Sequence, residues 1–167
     1  MPEAARRELK FEQLGDVVAD AESLQSSGYT KVGKWDLTQV CGHLAEWMRF
    51  PVEGFPRPGI LMRPMMWAMR NTVGGRTLRN IIDSGSMSAG IPTIPRTVPE
   101  PGEDATEAIA KLREAVAQFE AHTGDVHPSP VFGKMDREQA WQLQLVHCAH
   151  HLSFLIPVTS PETDTPG

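Results

Sequence analysis

The sequence has little cysteine and no long apolar run. Cys41 and Cys148 are the only cysteines among its 167 residues, and one pair in a chain of this length is no disulfide framework. No segment approaches the roughly 20 apolar residues of a membrane span. The first ten residues are polar and charged and lack the apolar core of a secretory signal. We therefore expect a soluble, cytoplasmic protein with no membrane partner.

An excess of basic charge is also missing. The chain has 16 Lys and Arg against 21 Asp and Glu, a formal net charge of -5. Such a chain has no overall attraction for phosphate backbones, so we expect no nucleic-acid partner. Hydrophobic residues make up 40% of the sequence and charged residues 22%, an ordinary globular balance. The length is enough for one domain with its own core.

Apolar residues recur at helical spacing in four segments. Asp36 and Asp136 are each followed three positions later by glutamine, Gln39 and Gln139, which is the capping-box pattern of a helix start. No alternating strand pattern accompanies these segments, so we predict an all-α fold, an antiparallel four-helix bundle. The predicted main helices cover about residues 11–25, 36–50, 103–122 and 136–155.

The connection between the second and third main helices is less regular. Ile60 to Val73 predicts a helix that is apolar on most sides, and Gly74-Gly75 interrupts it. Prolines between Gly85 and Gly102 favour an extended chain. We predict a long, partly helical crossover. The domain prediction is a single helical domain over residues 1–157, followed by a flexible tail over 158–167.

Two groups of residues in this crossover admit functional interpretations. From Gly54 to Ile82 there is no acidic residue, and the five arginines either recognise an anionic substrate or form a solvated helix face. The apolar residues either pack in the core or line a pliable pocket or a dimer surface. The arginines are Arg57, Arg63, Arg70, Arg76 and Arg79, and the apolar residues are Met62, Met65, Met66, Trp67 and Met69.

Three histidines suggest a metal site. His147 and His151 are four positions apart on a predicted helix, which places both imidazoles on one side, one turn apart. His43 lies on the second helix among residues that look core-facing, where an unpartnered imidazole is costly to bury. Three imidazoles suit a divalent transition metal and leave a coordination position open. The alternatives are a hydrogen-bonded core histidine at position 43 and surface histidines at 147 and 151.

Other polar residues are weaker candidates. Glu46 lies one turn after His43 and is the candidate general base or ligand-orienting group, with a surface carboxylate as the alternative. His150 points about 100° away from His151 and is expected outside the ligand set. Cys41 and Cys148 are interpreted as small core residues rather than thiolate ligands.

The order of several short motifs resembles that of the DinB superfamily of metalloenzymes. The first motifs are Trp35-Asp36-Leu37 and His43-Leu44-Ala45, followed by His147-x-x-His150-His151 in the last helix. Gly54-Phe55-Pro56 and Phe132-Gly133-Lys134-Met135 are similar to those of an uncharacterised branch. The likeness extends from about residue 9 to residue 157.

The resemblance implies a four-helix bundle with one longer crossover. It also implies a metal, commonly zinc or nickel, that is held by His43, His147 and His151, with His150 as the non-ligand member of the double histidine. Many members of the superfamily have an arginine directly after that pair. Leu152 occupies its place here, so a substrate contact from that arginine does not transfer.

The superfamily includes transferases and isomerases that activate a small thiol on the metal, beside many members without a known reaction. The implied function is a metal-dependent transferase or hydrolase that activates a small thiol or water. A non-catalytic, homodimeric module that binds a metal or ligand is the alternative. A third possibility is a vestigial, metal-free member in which the histidines hydrogen-bond one another.

Overall fold

A computed structural model of the chain describes residues 5–88 and 95–158, and it is mostly helical with little strand. The residues of the predicted tail from 159 onward, and residues 89–94 of the crossover, lie outside the described part. No helix among the described residues is long and apolar enough to cross a membrane. The elements are α1 (Leu14–Ser27), β1 (Tyr29–Lys31), α2 (Leu37–Glu53), α3 (Arg63–Met69), a π-helical segment (Arg70–Gly74), α4 (Gly75–Ser84), a 3₁₀ turn (Pro95–Thr97), α5 (Thr106–Ala121), α6 (Arg137–Leu152) and β2 (Leu155–Pro157).

The two helices that carry the candidate histidines begin at the predicted caps. The Asp36 side chain accepts from the Gln39 amide at 2.9 Å, and the Gln39 side chain accepts from the Asp36 amide at 3.2 Å. Asp136 and Gln139 make the same reciprocal pair at 2.7 and 3.1 Å. Both capping boxes are confirmed, and each satisfies two amides that a helix start leaves unpaired. They fix where α2 and α6 begin, and hence which way their faces point.

The helix α2 continues for a further turn through Pro51, which is one of the two outcomes, a kink or a further turn before Gly54, that the sequence allows at this proline. The predicted end was near Phe50, whereas the helix runs to Glu53 and the Gly54 amide closes it on the Phe50 carbonyl at 2.9 Å. Pro51 is buried inside the helix. The Pro51 carbonyl accepts the His127 amide at 2.8 Å, so this last turn also holds the loop that precedes α6.

The predicted interruption at Gly74-Gly75 is wrong. The chain stays helical from α3 through the π-helical segment into α4. Gly74 is buried, and a Cβ there would lie 2.2 Å from the Val131 carbonyl oxygen. Because Gly74 has no Cβ, the helix can pass close to the backbone at Val131. The π-helical segment ends at this crossing.

A small sheet was absent from the prediction. β1 pairs antiparallel with β2, with Tyr29 opposite Pro157 and Lys31 opposite Leu155. The last helix correspondingly ends at Leu152 rather than near Leu155. Each strand has three residues, too few to show an alternating pattern. The pairing joins the segment that follows α1 to the segment that follows α6. The sheet anchors the end of α6 beside the end of α1.

The core lies between α1, α2, α5 and α6, with α2 and α5 packed along each other. Burying one large apolar side chain contributes roughly 1.5–3 kcal/mol. Fully buried side chains come from all four helices and from β2, and they include Leu14, Leu24, Leu44, Met48, Leu112, Phe119, Leu152 and Leu155.

The apolar residues of α3 do not join this core, so the predicted core packing is wrong for them. No residue of α3 is buried, and the side chain of Trp67 is 69% exposed. All five arginines between residues 54 and 82 are also exposed, as the solvated-face interpretation expects.

Candidate metal centre

The three predicted histidines converge. His43 comes from α2, and His147 and His151 come from successive turns of α6. The Nε2 atom of His147 is 3.3 Å from Nε2 of His43 and 3.1 Å from Nε2 of His151. One ligand atom from each residue lies within 4.8 Å of the others. The prediction that two distant helices bring these imidazoles to a common point is confirmed.

The spacing of the nitrogens fits a shared cation. Two nitrogens bound tetrahedrally at the 2.0–2.1 Å zinc–nitrogen distance lie about 3.3–3.4 Å apart. The Nε2 of His147 has one in-plane position, which holds either a proton or a lone pair, so it cannot make two good hydrogen bonds. Its two neighbours at 3.3 and 3.1 Å are therefore not both satisfied by hydrogen bonding. A cation at the common point uses one lone pair from each ring, so these residues fit a metal.

Thr97 orients the first of the three rings. Its Oγ1 lies 3.0 Å from Nδ1 of His43, and its side chain is buried. An Nδ1–H that donates to this hydroxyl leaves the lone pair of His43 on Nε2, which faces His147. The sequence-based reasoning did not identify Thr97. It lies 54 positions from His43 in a proline-rich connection, where no local pattern marks it.

Two tryptophans enclose the imidazoles. The ring of Trp35 stacks on His151 with a centroid separation of 5.1 Å and an interplanar angle of 12°, and it lies 4.9 Å from the ring of His43. The ring of Trp47 lies 6.0 Å from His43 and 5.7 Å from His147. These contacts restrict the imidazole orientations and exclude water from part of the site.

The three histidines are neutral at physiological pH. Burial, and secondarily the neighbouring imidazoles, lowers the pKa of His43 to about 3 and that of His151 to about 2. The same two causes lower the pKa of His147 well below its usual value. Metal binding requires unprotonated imidazole, so the fold presents these ligands in the form that a cation needs.

The other candidates lie outside the cluster. His150 is turned toward the N-terminal segment, where its Nδ1 is 3.4 Å from Arg6 and its ring contacts Phe154. Glu46 is exposed, with its carboxylate 3.9 Å from the Arg49 guanidinium, and it is not among the groups that converge with the three histidines. A role for Glu46 as a base stays a prediction.

The cysteines and Leu152 are in the apolar interior. Cys41 and Cys148 are free and buried. Burial raises the pKa of Cys41 to about 12 and raises the pKa of Cys148 as well. Both are therefore protonated thiols rather than thiolate ligands. Leu152 is fully buried, so the position directly after the double histidine has no polar contact to offer a substrate.

Access to the site is partial. His43 is 1% exposed, whereas His147 and His151 are half-buried. A cavity of about 490 Å³ lies nearby and is lined by Arg6, His150 and residues 84–87, but not by the three histidines. The partial exposure of the cluster is therefore on α6, which carries His147 and His151.

A second cavity, of about 20 Å³, adjoins Trp47 and Gln144. Gln144 lies one turn before His147 on α6, and its Nε2 donates to the Trp47 carbonyl at 3.0 Å. Its Oε1 and the indole Nε1 of Trp47 are buried without a hydrogen-bond partner among the described residues. A cavity of this size holds about one water. The sequence does not identify Gln144 as part of the site, because its contact with Trp47 depends on how α2 and α6 pack.

A family model that is described as a protein of unknown function matches residues 3–158 of the chain. No curated protein and no solved structure matches the chain. The match covers α1 through β2 and therefore includes all three histidines.

Proposed function

Because the chain belongs to this family, DUF1569, whose description names no activity, we propose a function from the site itself: a metal-dependent enzyme that activates a small thiol or water. The observation that carries the proposal is the convergence of three neutral imidazole nitrogens from α2 and α6, two of them 3.3 and 3.1 Å from the third. Zinc and nickel are the proposed metals, since both bind imidazole readily.

The same proposal includes the DinB-like architecture. In it, α1, α2, α5 and α6 form an antiparallel four-helix bundle, and α3 to α4 belong to the crossover. Three observations support this assignment: the shared core of the four helices, the position of the two ligand-bearing helices, and the order of motifs along the chain.

Each residue has a definite part in the proposed chemistry. His43, His147 and His151 hold the ion, and Thr97 keeps the lone pair of His43 on Nε2. Trp35 and Trp47 shield one side from water, and access of a small molecule is proposed from the side of α6, whose His147 and His151 are partly exposed. A divalent ion held there supplies a Lewis acid that lowers the pKa of a bound thiol or water and so creates a nucleophile near neutral pH.

A structural role for the ion is the second candidate. The aromatic enclosure favours it, as does the separation of the 490 Å³ cavity from the three histidines. In this function the ion joins α2 to α6 without taking part in a reaction. The two candidates share the same ligands and differ in whether a small molecule reaches the ion.

Elemental analysis of the purified protein tests the site. We expect about one transition-metal ion per chain in the native protein and in His150→Ala, and none in His147→Ala. His150→Ala is the matched control, because it removes an imidazole from the same turn of α6 that is not among the three converging ligand candidates. A native protein that takes up neither zinc nor nickel, or a His147→Ala variant that keeps its metal, contradicts the proposal.

Cobalt substitution separates the two candidate functions. Co²⁺ in a site of three imidazoles has a visible absorption spectrum that changes when a further ligand binds. We expect a small thiol added to the cobalt-loaded protein to change this spectrum. An unchanged spectrum both at saturating thiol and at saturating azide, an anion that replaces a metal-bound water, rules out an open coordination position and supports the structural function.

A further inference from the structure

The segment from Ile60 to Val73 projects its apolar side chains into solvent. Leu61 is 94% exposed, Ile60 78% and Trp67 69%. Among the described residues, seven of the eight exposed large hydrophobic side chains belong to this segment, which we call the arm (residues 60–73). A contiguous exposed apolar surface of this kind marks an interaction site rather than an ordinary solvated face.

The arm is held against the rest of the chain at its C-terminal end. α3 has no buried residue, and burial resumes at Gly74, whose backbone passes close to the Val131 carbonyl, and at Leu78. The side chain of Arg70 packs near Gly133 at the same place. The base of the arm is thus held firmly, while its apolar side chains find no cover within the described chain.

The methionines and the arginines of the arm lie on different faces, and Trp67, four positions after Arg63, lies beside the arginines. Met62, Met65 and Met69 follow helical spacing and share one face, whereas Arg63 and Arg70 share another face roughly 100° away. Methionine side chains are flexible and polarisable and pack well against a surface of similar kind. Whatever covers the arm must therefore offer an apolar surface with negative charge beside it.

We propose that the arm binds a second copy of this chain. It contacts the arm of that copy and also its body, by which we mean the residues outside 54–82. The apolar face needs an apolar partner, and outside the arm the described residues expose only Val158 as a large hydrophobic side chain. Within a dimer, the apolar face of one arm therefore meets that of the other. This contact buries on both sides the surface that the single chain leaves in water.

Charge complementarity supports the same partner. Residues 54–82 contain five arginines and no acidic residue, and the whole chain has a net charge of -5, so the remainder has a net charge of -10. Exposed acidic residues include Asp16 on α1 and Glu120 on α5. The arginines that flank one apolar face can then pair with the acidic body of the other copy, which offsets the repulsion between two basic arms.

An interface that is large enough to be stable must also include residues of the body. Specific interfaces take roughly 20–30 residues from each partner, and the arm supplies fourteen positions. A two-fold arrangement uses both arms and both bodies at once and leaves no arm free to recruit further copies. An anionic membrane would attract the arginines as well, but it would repel the body of net charge -10.

The oligomeric state of the full chain tests this proposal. We expect light scattering after size exclusion to give the mass of a dimer for the native protein, and of a monomer for the double variant Met65→Glu, Met69→Glu, which places two charges on the methionine face. Both residues are exposed, so the double variant should keep its helical content, its melting temperature and its metal. Val158→Glu is the matched control, since it places the same charge on an exposed hydrophobic residue outside the arm, and it should stay dimeric.

Three outcomes overturn the proposal: a native protein that is monomeric at every concentration, a double variant that remains dimeric, or a monomeric native protein that sediments with vesicles containing phosphatidylglycerol. The dimer should persist in His147→Ala. Absence of the dimer and absence of metal binding are therefore separate results.

Cross-linking locates the contact. Both native cysteines are buried, so a cysteine introduced at the surface is the accessible thiol. We expect a bismaleimide to join two copies of Met65→Cys and to leave Val158→Cys as single chains. Equal cross-linking of the two variants contradicts an interface at the arm.

Discussion

Thr97 is the residue on which the orientation of His43 depends. The two side chains meet at 3.0 Å, and the threonine is 2% exposed, so no water can easily replace its hydroxyl. A hydrogen bond to the far nitrogen of a metal-ligating histidine fixes which nitrogen faces the ion and makes that nitrogen more basic. The candidate site therefore extends beyond the three converging histidines.

Replacing that hydroxyl should weaken metal binding. Thr97→Val keeps the shape of the side chain and removes the hydrogen bond, and we expect a metal affinity about 10–100-fold lower, measured by competition with a chelator. Thr97→Ser, which keeps the hydroxyl, should restore most of the affinity. If Thr97→Val binds the metal as tightly as the native protein, Thr97 does not orient His43.

Single residues differed in how far the sequence could predict them. His147 and His151 can be identified from their spacing within one helix, and His43 from its apolar neighbours in the sequence. Thr97, Trp35 and Gln144 carry no such local signal as members of the site, because their contacts with it are set by how the helices and the crossover pack. The three converging histidines were therefore predictable, and the residues that contact them were not.

The helices and strands also differ in how well the sequence predicts them. α2 and α6 were predicted closely at their starts, because Asp36 and Asp136 cap them through residues only three positions away. The two strands were missed, since Tyr29–Lys31 acquires its partner from the far end of the described chain. The helix that contains α3 was predicted, but its exposure was not, because methionine and tryptophan usually indicate a core.

The two caps should contribute unequally to stability. Asp36 and Asp136 cap their helices in the same way, but the second carboxylate oxygen of Asp36 also accepts from the Gly102 amide at 3.0 Å. We expect Asp136→Ala to lower the free energy of unfolding by about 0.5–2 kcal/mol. Asp36→Ala should cost about 1 kcal/mol more, because it also removes the bond to the crossover. Urea unfolding measures both, and equal losses would show that the Gly102 contact adds nothing.

The adjacent glycines at the start of α4 should respond oppositely to alanine. A Cβ at Gly74 would lie 2.2 Å from the Val131 carbonyl oxygen, whereas a Cβ at Gly75 would approach nothing closer than the tip of Arg79 at 3.9 Å. We expect Gly74→Ala to destabilise the protein by about 1–3 kcal/mol, because the backbone must move. Gly75→Ala should stabilise it by up to about 1 kcal/mol, since alanine favours helix. Thermal unfolding of the two variants distinguishes them, and similar effects would contradict the close passage at Gly74.

The whole molecule should respond to acid through its buried imidazoles. In the unfolded chain these rings have a pKa near 6.5, whereas in the folded protein burial lowers the pKa of His43 to about 3 and that of His151 to about 2. Below pH 6.5 the unfolded chain binds more protons than the folded one, so the stability present above that pH is lost as the pH falls.

We therefore expect the free energy of unfolding of the metal-free protein to fall between pH 7 and pH 5. It should fall less steeply in His151→Gln, which removes one of the buried titrating rings and keeps a polar side chain. Denaturant unfolding at several pH values measures this slope. A variant with the same slope as the native protein would show that His151 does not stay neutral in the folded state.

In the function proposed for this protein, His43, His147 and His151 together hold one metal ion. A crystal of the protein grown with zinc or nickel, measured at the absorption edge of that metal, tests this site most directly. We expect one strong anomalous peak per chain, about 2.0–2.1 Å from a nitrogen of each of the three rings. A loaded crystal with no peak there, or with its ion bound by other residues, would contradict a metal site at these histidines.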